Sequence, residues 1–358
     1  IIVTILFDFV ILSSNFNFSL ALKKFLVNKF STLNFTNTQQ SQTKQKFCLI
    51  FLFFLIYCFV FLTKYSKINL HYGGFMKIAI SAESTIDLPK ELLEKYNIKT
   101  LPFVVILGGE EYKDGEISST DIFSYVEKNK ILPKTSAVNK EQYTAHFQNL
   151  LKEYDAVVHI CLSSQISCAC QNAKDVASEM KNVYVIDSLS LSTGIALLAI
   201  YASQLASEGF EPKQIVDRVS ARISSVQASF VIERLDYLYK GGRCSALAYF
   251  GANFLRLRPQ IIVKEGKMSS YKKYRGNMDK VIANYCADTL EEFNNPDKKL
   301  AFITYTTATE KMVEEAEKAL KAKGFETIYE TKAGATISSH CGEHTLGILY
   351  FNDGTDGH

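Results

Sequence analysis

Three short stretches gather hydroxyls where helices are expected to begin: Glu83-Ser84-Thr85, Lys134-Thr135-Ser136 and Ser163-Ser164-Gln165-Ile166-Ser167. Taken singly, each is explained by capping, in which a hydroxyl accepts from the first free N–H groups of a helix. Three on one edge of one lobe also suit a small anion, because neutral hydroxyls and a helix N-terminus hold a carboxylate without a metal. His340-Cys341-Gly342-Glu343-His344 matches the H-x-x-E-H pattern of some zinc peptidases. That chemistry needs both histidines one turn apart on a stable helix. Gly342 interrupts the motif and a strand-like TLGILYF follows at once, so the zinc reading is set aside. Cys168-Ala169-Cys170 and Cys161 lack a second close pair for a tetrahedral site and read as buried structural thiols. Lys240–Ser245, KGGRCS, has the glycines of an anion loop at a spacing foreign to nucleotide motifs, and reads as a tight turn. The sequence contains no nucleophile elbow, Walker loop or dinucleotide fingerprint.

The elements that must position these residues alternate β-branched runs with amphipathic stretches from Met76 onward, the pattern of an α/β protein. KIAIS (77–81) reads as a first buried strand, with Asp87 capping the next helix and Pro89 in its first turn. TLPFVVIL (100–107) reads as one strand, and Ser119-Thr120-Asp121 as the start of a helix closed before Pro133. AVVHICL (156–162) and VYVIDS (183–188) read as strands, each followed by a helix. Near Ser225 a second lobe is expected. It comprises ASFVI, the KGGR turn, a helix through Phe254, a hairpin around Glu265-Gly266-Lys267, two βα units and the final strand TLGILYF. Two abutting α/β lobes result, residues 76–225 and 226–358.

The chain has 358 residues and a formal charge of +3. Residues 1–75 hold seven lysines and one aspartate, +6, which leaves 33 Lys+Arg against 36 Asp+Glu, −3, for the remainder. A mildly acidic globular part gives no electrostatic case for nucleic acid. Within 1–75, Phe47 to Leu62 is an unbroken apolar run. Its 16 residues would span about 24 Å as a helix, against roughly 30 Å of hydrocarbon. The first methionine is Met76, and the leader has the Phe, Ile, Asn and Lys content of translated AT-rich DNA. Residues 1–75 are therefore expected to be untranslated upstream sequence, with a membrane leader as the alternative, and no stable membrane insertion is expected. Six irregularly spaced cysteines in the remainder, and no signal peptide at Met76, point to reduced thiols and a cytoplasmic protein.

In order along the chain, these motifs resemble the DegV family of bacterial fatty-acid-binding proteins, which include the acyl-binding subunits of fatty acid kinase. The family's D-S-T-x-D-L-P stands here as Glu83-Ser84-Thr85-Ile86-Asp87-Leu88-Pro89, and its T-S-x-P-S as Thr135-Ser136-Ala137-Val138-Asn139. Its S-S-x-L-S-G-T is similar to Ser163 through Ala169, its L-x-x-L-x-K-G-G-R-x-S to LDYLYKGGRCS, and its arginine-bearing hairpin to YKKYRG. The closing H-x-G-P-G-x-x-G is similar to the segment from His340, with Glu343 and His344 in place of proline and glycine. Cys168 and Ala169 replace a glycine and a threonine, and an acidic Glu343 near the head group would repel a carboxylate unless it points away.

The resemblance implies a long-chain fatty acid in a slot between the lobes, with no cofactor. Its carboxylate would be held by Thr135, Ser136, Ser164, Ser167 and His340, with Arg275 nearby. It also implies presentation to a separate kinase that makes an acyl phosphate, with Gly241, Gly242 and Arg243 contacting phosphate or partner. Phe250, Phe254, Leu255 and Ile261 are the candidate acyl-chain wall. Burying roughly fifteen methylenes at about 0.8 kcal/mol each offers on the order of 12 kcal/mol before ordering costs. The chain is thus expected to be non-catalytic by itself. The alternative is a hydrolase or transferase with Cys168 or Ser167 as nucleophile and His340 or His159 as base.

Overall fold

The computed structural model describes residues 76–244 and 257–354. The leader 1–75 and the expected helix through Phe254 lie outside the described residues. Strand β1 (Ile78–Glu83) is buried at every position, as a central parallel strand with both faces covered must be. A short 3₁₀ turn (Ser84–Ile86) and α1 (Lys90–Lys95) lead to β2 (Ile98–Leu101). Asp87 is not the cap of α1: Pro89 takes that place, and Asp87 is buried with a left-handed φ of 54°.

TLPFVVIL is two strands, because Pro102 has no N–H to continue a ladder. Leu101 ends β2, and β3 (Val104–Leu107) joins a separate antiparallel sheet between β4 (Glu110–Lys113) and β5 (Lys134–Ser136). Helix α2 (Ser119–Asn129) begins at a capping box made by Ser118 and Asp121. Thr135 and Ser136, expected in a loop, are strand residues paired with Val105 and Val104.

After α3 (Lys140–Leu150) come β6 (Ala156–Cys161), α4 (Ala169–Ser178) and β7 (Val183–Asp187), completing an all-parallel sheet in the order β2-β1-β6-β7. Helix α5 (Thr193–Ser207) is apolar nearly all round, which marks a helix packed on several sides. It touches β1, β2 and β6 on one side and β8 and β13 on the other. A second helix, α6 (Pro212–Arg222), follows where one was expected.

The second lobe is a six-stranded sheet. Strand β8 (Val226–Val231) and α7 (Asp236–Lys240) precede the hairpin β9 (Leu257–Lys264) and β10 (Lys267–Arg275). Helix α8 (Met278–Glu292), β11 (Leu300–Tyr305), α9 (Glu310–Lys323), β12 (Thr327–Lys332), α10 (Ala335–Cys341) and β13 (Leu346–Phe351) complete it. The order is β10-β9-β8-β13-β11-β12, with β11 and β12 parallel and the other pairs antiparallel. Period-two alternation splits its side chains between two cores. Phe302, Leu349 and Phe351 face the core shared with α5, while Ile303, Ile348 and Tyr350 face α8 and α9. Among the described residues no helix is long and apolar enough to cross a membrane.

Candidate functional site

The short helix α10, which stands in the second of the expected βα units and reaches His340, where no helix was expected, organises the site. Gly342, with φ 77°, ends it, and a Cβ there would stand 2.8 Å from the Tyr237 ring. Helical spacing puts Thr336, Ile337, His340 and Cys341 along one side. His340 Nε2 lies 2.9 Å from Thr135 Oγ1, joining α10 to β5. The other ring nitrogen, Nδ1, is buried without a partner, as is Thr336 Oγ1. Gly241 makes room for the ring, since a Cβ at that position would lie 2.6 Å from Nδ1. Burial, and then the Arg243 charge, lower the His340 pKa to about 4, so the imidazole is neutral near pH 7.

These residues border a cavity of about 340 Å³, within the range of small-molecule sites, roughly 300–1,000 Å³. Its polar lining residues are Thr135, Ser136, Ser167, Thr336, His340 and Arg243. The rest is largely apolar: Phe103, Leu162, Ile166, Leu191, Leu238 and Met268, with Ile337 and Cys341. A chamber of about 30 Å³ shares Leu191, Ile337 and Cys341 with it. Its threonines turn their oxygens away: Thr304 to Thr193 and Thr331, Thr306 to the Gly342 carbonyl, and Thr345 to the Cys341 carbonyl.

Of the expected head-group residues, Thr135, Ser136, Ser167 and His340 meet at this cavity. Ser164 does not line it; its backbone N–H donates to Asp187. Arg275 is exposed at the end of β10, opposite Leu257, away from the lining. Arg243, expected at a phosphate or partner, is a lining residue, and its guanidinium donates to the Gly241 carbonyl at 2.6 Å. Gly241 supports the His340 ring from outside the lining, and Gly242 is exposed at the same turn. Ile261 is buried in the sheet core opposite Phe230 and does not line the cavity. Phe250, Phe254 and Leu255 lie outside the described residues. Glu343 is not a lining residue, and its charge acts on Arg234 and Tyr237. Cys168, expected to be buried, is exposed and borders the cavity.

His340 and His344 are not a ligand pair: His344 Nδ1 contacts Glu233, and its positive φ places it beyond the helix. The His/Cys/Glu group whose atoms do converge, Glu83, His159 and Cys161, is fully buried. Burial pushes the Glu83 pKa up, but contacts with His159, Tyr143 and the Leu162 N–H outweigh it and leave the carboxyl ionised. Burial holds the Cys161 thiol protonated, which disfavours metal ligation. The network joins β1, β6 and α3: Ser81 Oγ lies 3.0 Å from His159 Nδ1 and 2.7 Å from His146 Nε2.

A family model described as "Uncharacterised protein, DegV family" matches residues 77–353. The chain belongs to the DegV family. A DegV domain-containing protein of Caldanaerobacter subterraneus subsp. tengcongensis is 30% identical over 281 residues, covering 76% of this chain and 98% of the relative. The Thermotoga maritima relative named "Fatty acid-binding protein" is 29% identical over 282 residues, covering 76% of this chain and 97% of its own. Among solved structures, a fatty-acid-binding DegV family protein from Thermus thermophilus matches with a TM-score of 0.72 at 26% identity. The match covers 77% of this chain and 99% of that one. DegV of Bacillus subtilis, described as a fatty acid binding protein, matches with a TM-score of 0.69 at 28% identity, covering 77% and 99%. The two α/β lobes of this DegV chain are those of the family.

Proposed function

We propose that this chain binds one long-chain fatty acid between an N-terminal lobe (76–225) and a C-terminal lobe (226–358), and presents its carboxylate to a separate kinase. The observation that carries the reading is one cavity whose lining combines the Thr135 hydroxyl, paired with the neutral His340 imidazole, and a majority of apolar side chains. Three relatives or neighbours at 26–29% identity carry fatty acid binding in their names. The head group is assigned to Thr135, Ser136, Ser167 and His340, with Thr336 added for its unpartnered hydroxyl. Arg243 replaces Arg275 as the nearby cation, and Ser164 is left out.

The chemistry follows from these groups. Hydroxyl donors accept the negative charge through charge-assisted hydrogen bonds, and Arg243 supplies long-range attraction. The tail replaces water against Ile166, Leu191 and Met268, and that burial dominates affinity while the head group sets orientation. Exposed Arg243 and Cys168 leave the carboxylate end open to a second protein. The kinase would transfer a phosphoryl group onto that carboxylate. For the rival reading, a nucleophilic Ser167 or Cys168, the expected bases already have partners: His159 is fully buried against Ser81 and Glu83. The Ser167 hydroxyl accepts from the Ala169 N–H, and the His340 Nε2 is taken by Thr135.

Native mass spectrometry of the full chain purified from bacteria tests the binding. One co-purified long-chain acid per chain is expected, released by organic extraction and restored by adding back the acid. A protein that carries none and takes up none when it is offered contradicts the proposal.

A further inference from the structure

Two carboxylates from the N-terminal half meet the first turn of α10. Asp87 Oδ1 accepts from the Gly334 N–H at 2.8 Å, and Asp114 Oδ1 accepts from the Ala335 N–H at 2.8 Å. Their other oxygens are tied to their own half: the Ser192 hydroxyl donates to Asp87 Oδ2 at 2.5 Å and the Ser84 hydroxyl to Asp114 Oδ2 at 2.9 Å. Ser84 also accepts from the Phe103 N–H, which fixes a wall residue of the cavity. On the flank of the same turn, Ser119 reaches Ser338 Oγ at 2.7 Å and the Ala333 carbonyl at 3.0 Å. Gly334 fits because a Cβ there would lie 3.0 Å from Asp114 Oδ1 and 3.2 Å from Asp87 Oδ1.

We propose that Asp87 and Asp114 are positioning residues for the ligand grip: they fix the height and rotation of α10, and so the places of Thr336 and His340. The inference rests on the fatty-acid reading of the cavity. Its physical basis is the length of α10. Seven residues make too short a helix to hold its own geometry, so contacts at its ends decide it. A slip of one residue rotates the helix by about 100°, turning both polar side chains off the cavity. Ser84 and Ser192 thus act at second hand, by holding the carboxylates that hold the helix. Burial raises the Asp87 pKa to about 8, with Asp114 adding to the effect; in the protonated form the proton lies on Oδ2 and reverses the Ser192 hydrogen bond, while Oδ1 still accepts from Gly334.

The test compares delipidated full-length wild type with Asp87→Asn, Asp87→Ala and Asp114→Ala. The ligands are a fatty acid and the primary alcohol of equal chain length, and the His340 ring signals are followed by NMR. Asp87→Asn keeps an acceptor for Gly334 and should leave the acid/alcohol affinity ratio within about twofold of wild type. Each alanine variant should lower that ratio about tenfold, the scale of a lost helix cap, and shift the His340 signals. Should Asp87→Ala fail to fold, Asp114→Ala, altered at a half-buried site, carries the comparison. Folded alanine variants with an unchanged ratio and unmoved His340 signals overturn the proposal. Wild type that binds neither ligand refutes the fatty-acid reading instead, and the His340 signals still report on the positioning.

Discussion

His340 is a histidine kept uncharged beside an arginine, and that has two consequences. The first concerns recognition. Its Nε2 and the Thr135 hydroxyl stand 2.9 Å apart, and a bound carboxylate would compete for or extend that contact. Thr135→Val keeps the volume and removes the hydroxyl. Hydrogen bonds to charged groups are worth about 1.5–3 kcal/mol, so the acid should bind roughly 10- to 100-fold more weakly. The alcohol of the same length should be much less affected, as titration calorimetry on both would show. The second consequence is a pH dependence. The folded pKa is lowered from 6.5 to about 4, so the unfolded chain binds more protons between those values. This contribution to stability is present above pH 6.5 and is lost as pH falls toward 4. His340→Asn should flatten the loss of unfolding stability across that window, measured in urea. Thr336 was illegible in the sequence, because a lone threonine has no signature until a helix sets it beside a histidine four residues later.

At the scale of elements, runs such as AVVHICL and TLGILYF announced their strands because central strands are apolar on both faces. Helix α10 did not announce itself, since ATISSHC is short, hydroxyl-rich and without a clear apolar period. Tertiary contacts, not propensity, make it helical. The split of TLPFVVIL was signalled by Pro102, which the apolar run concealed. Gly342 ends α10 with φ 77° and a ring at 2.8 Å from the missing Cβ. Gly342→Ala should therefore destabilise the fold by about 1–3 kcal/mol, read from the urea midpoint. Asp87 gives the opposite pH signature to His340. Its folded pKa is raised from 3.8 to about 8, so its contribution to stability is full below pH 3.8 and is lost as pH rises through 8. Asp87→Asn should remove that decline.

Across the whole molecule, the apolar helix α5 lies between the sheets of the two lobes. The cavity lies where β5, the start of α4, α7 and α10 converge. The motifs were legible along the chain, and the resemblance implied the meeting of Thr135, Ser136, Ser167 and His340; the places of Ser164, Arg275 and Arg243 were not legible, because they depend on long-range packing. The lining of the small chamber was equally hidden: it is apolar although threonines border it, because their oxygens are used elsewhere. Leu191, Ile337 and Cys341 stand between that chamber and the main cavity. Ile337→Ala should join the two and favour longer acids, whereas Ile337→Phe should favour shorter ones, as competition among acids of graded length would show. The most direct test of the whole account is a crystal structure of the chain with a bound fatty acid. It should show the carboxylate about 2.7–3.2 Å from Thr135 Oγ1 or a His340 ring nitrogen, with the tail along Ile166, Leu191 and Met268. A carboxylate bound away from Thr135 and His340, or a tail lying outside this cavity, would contradict it.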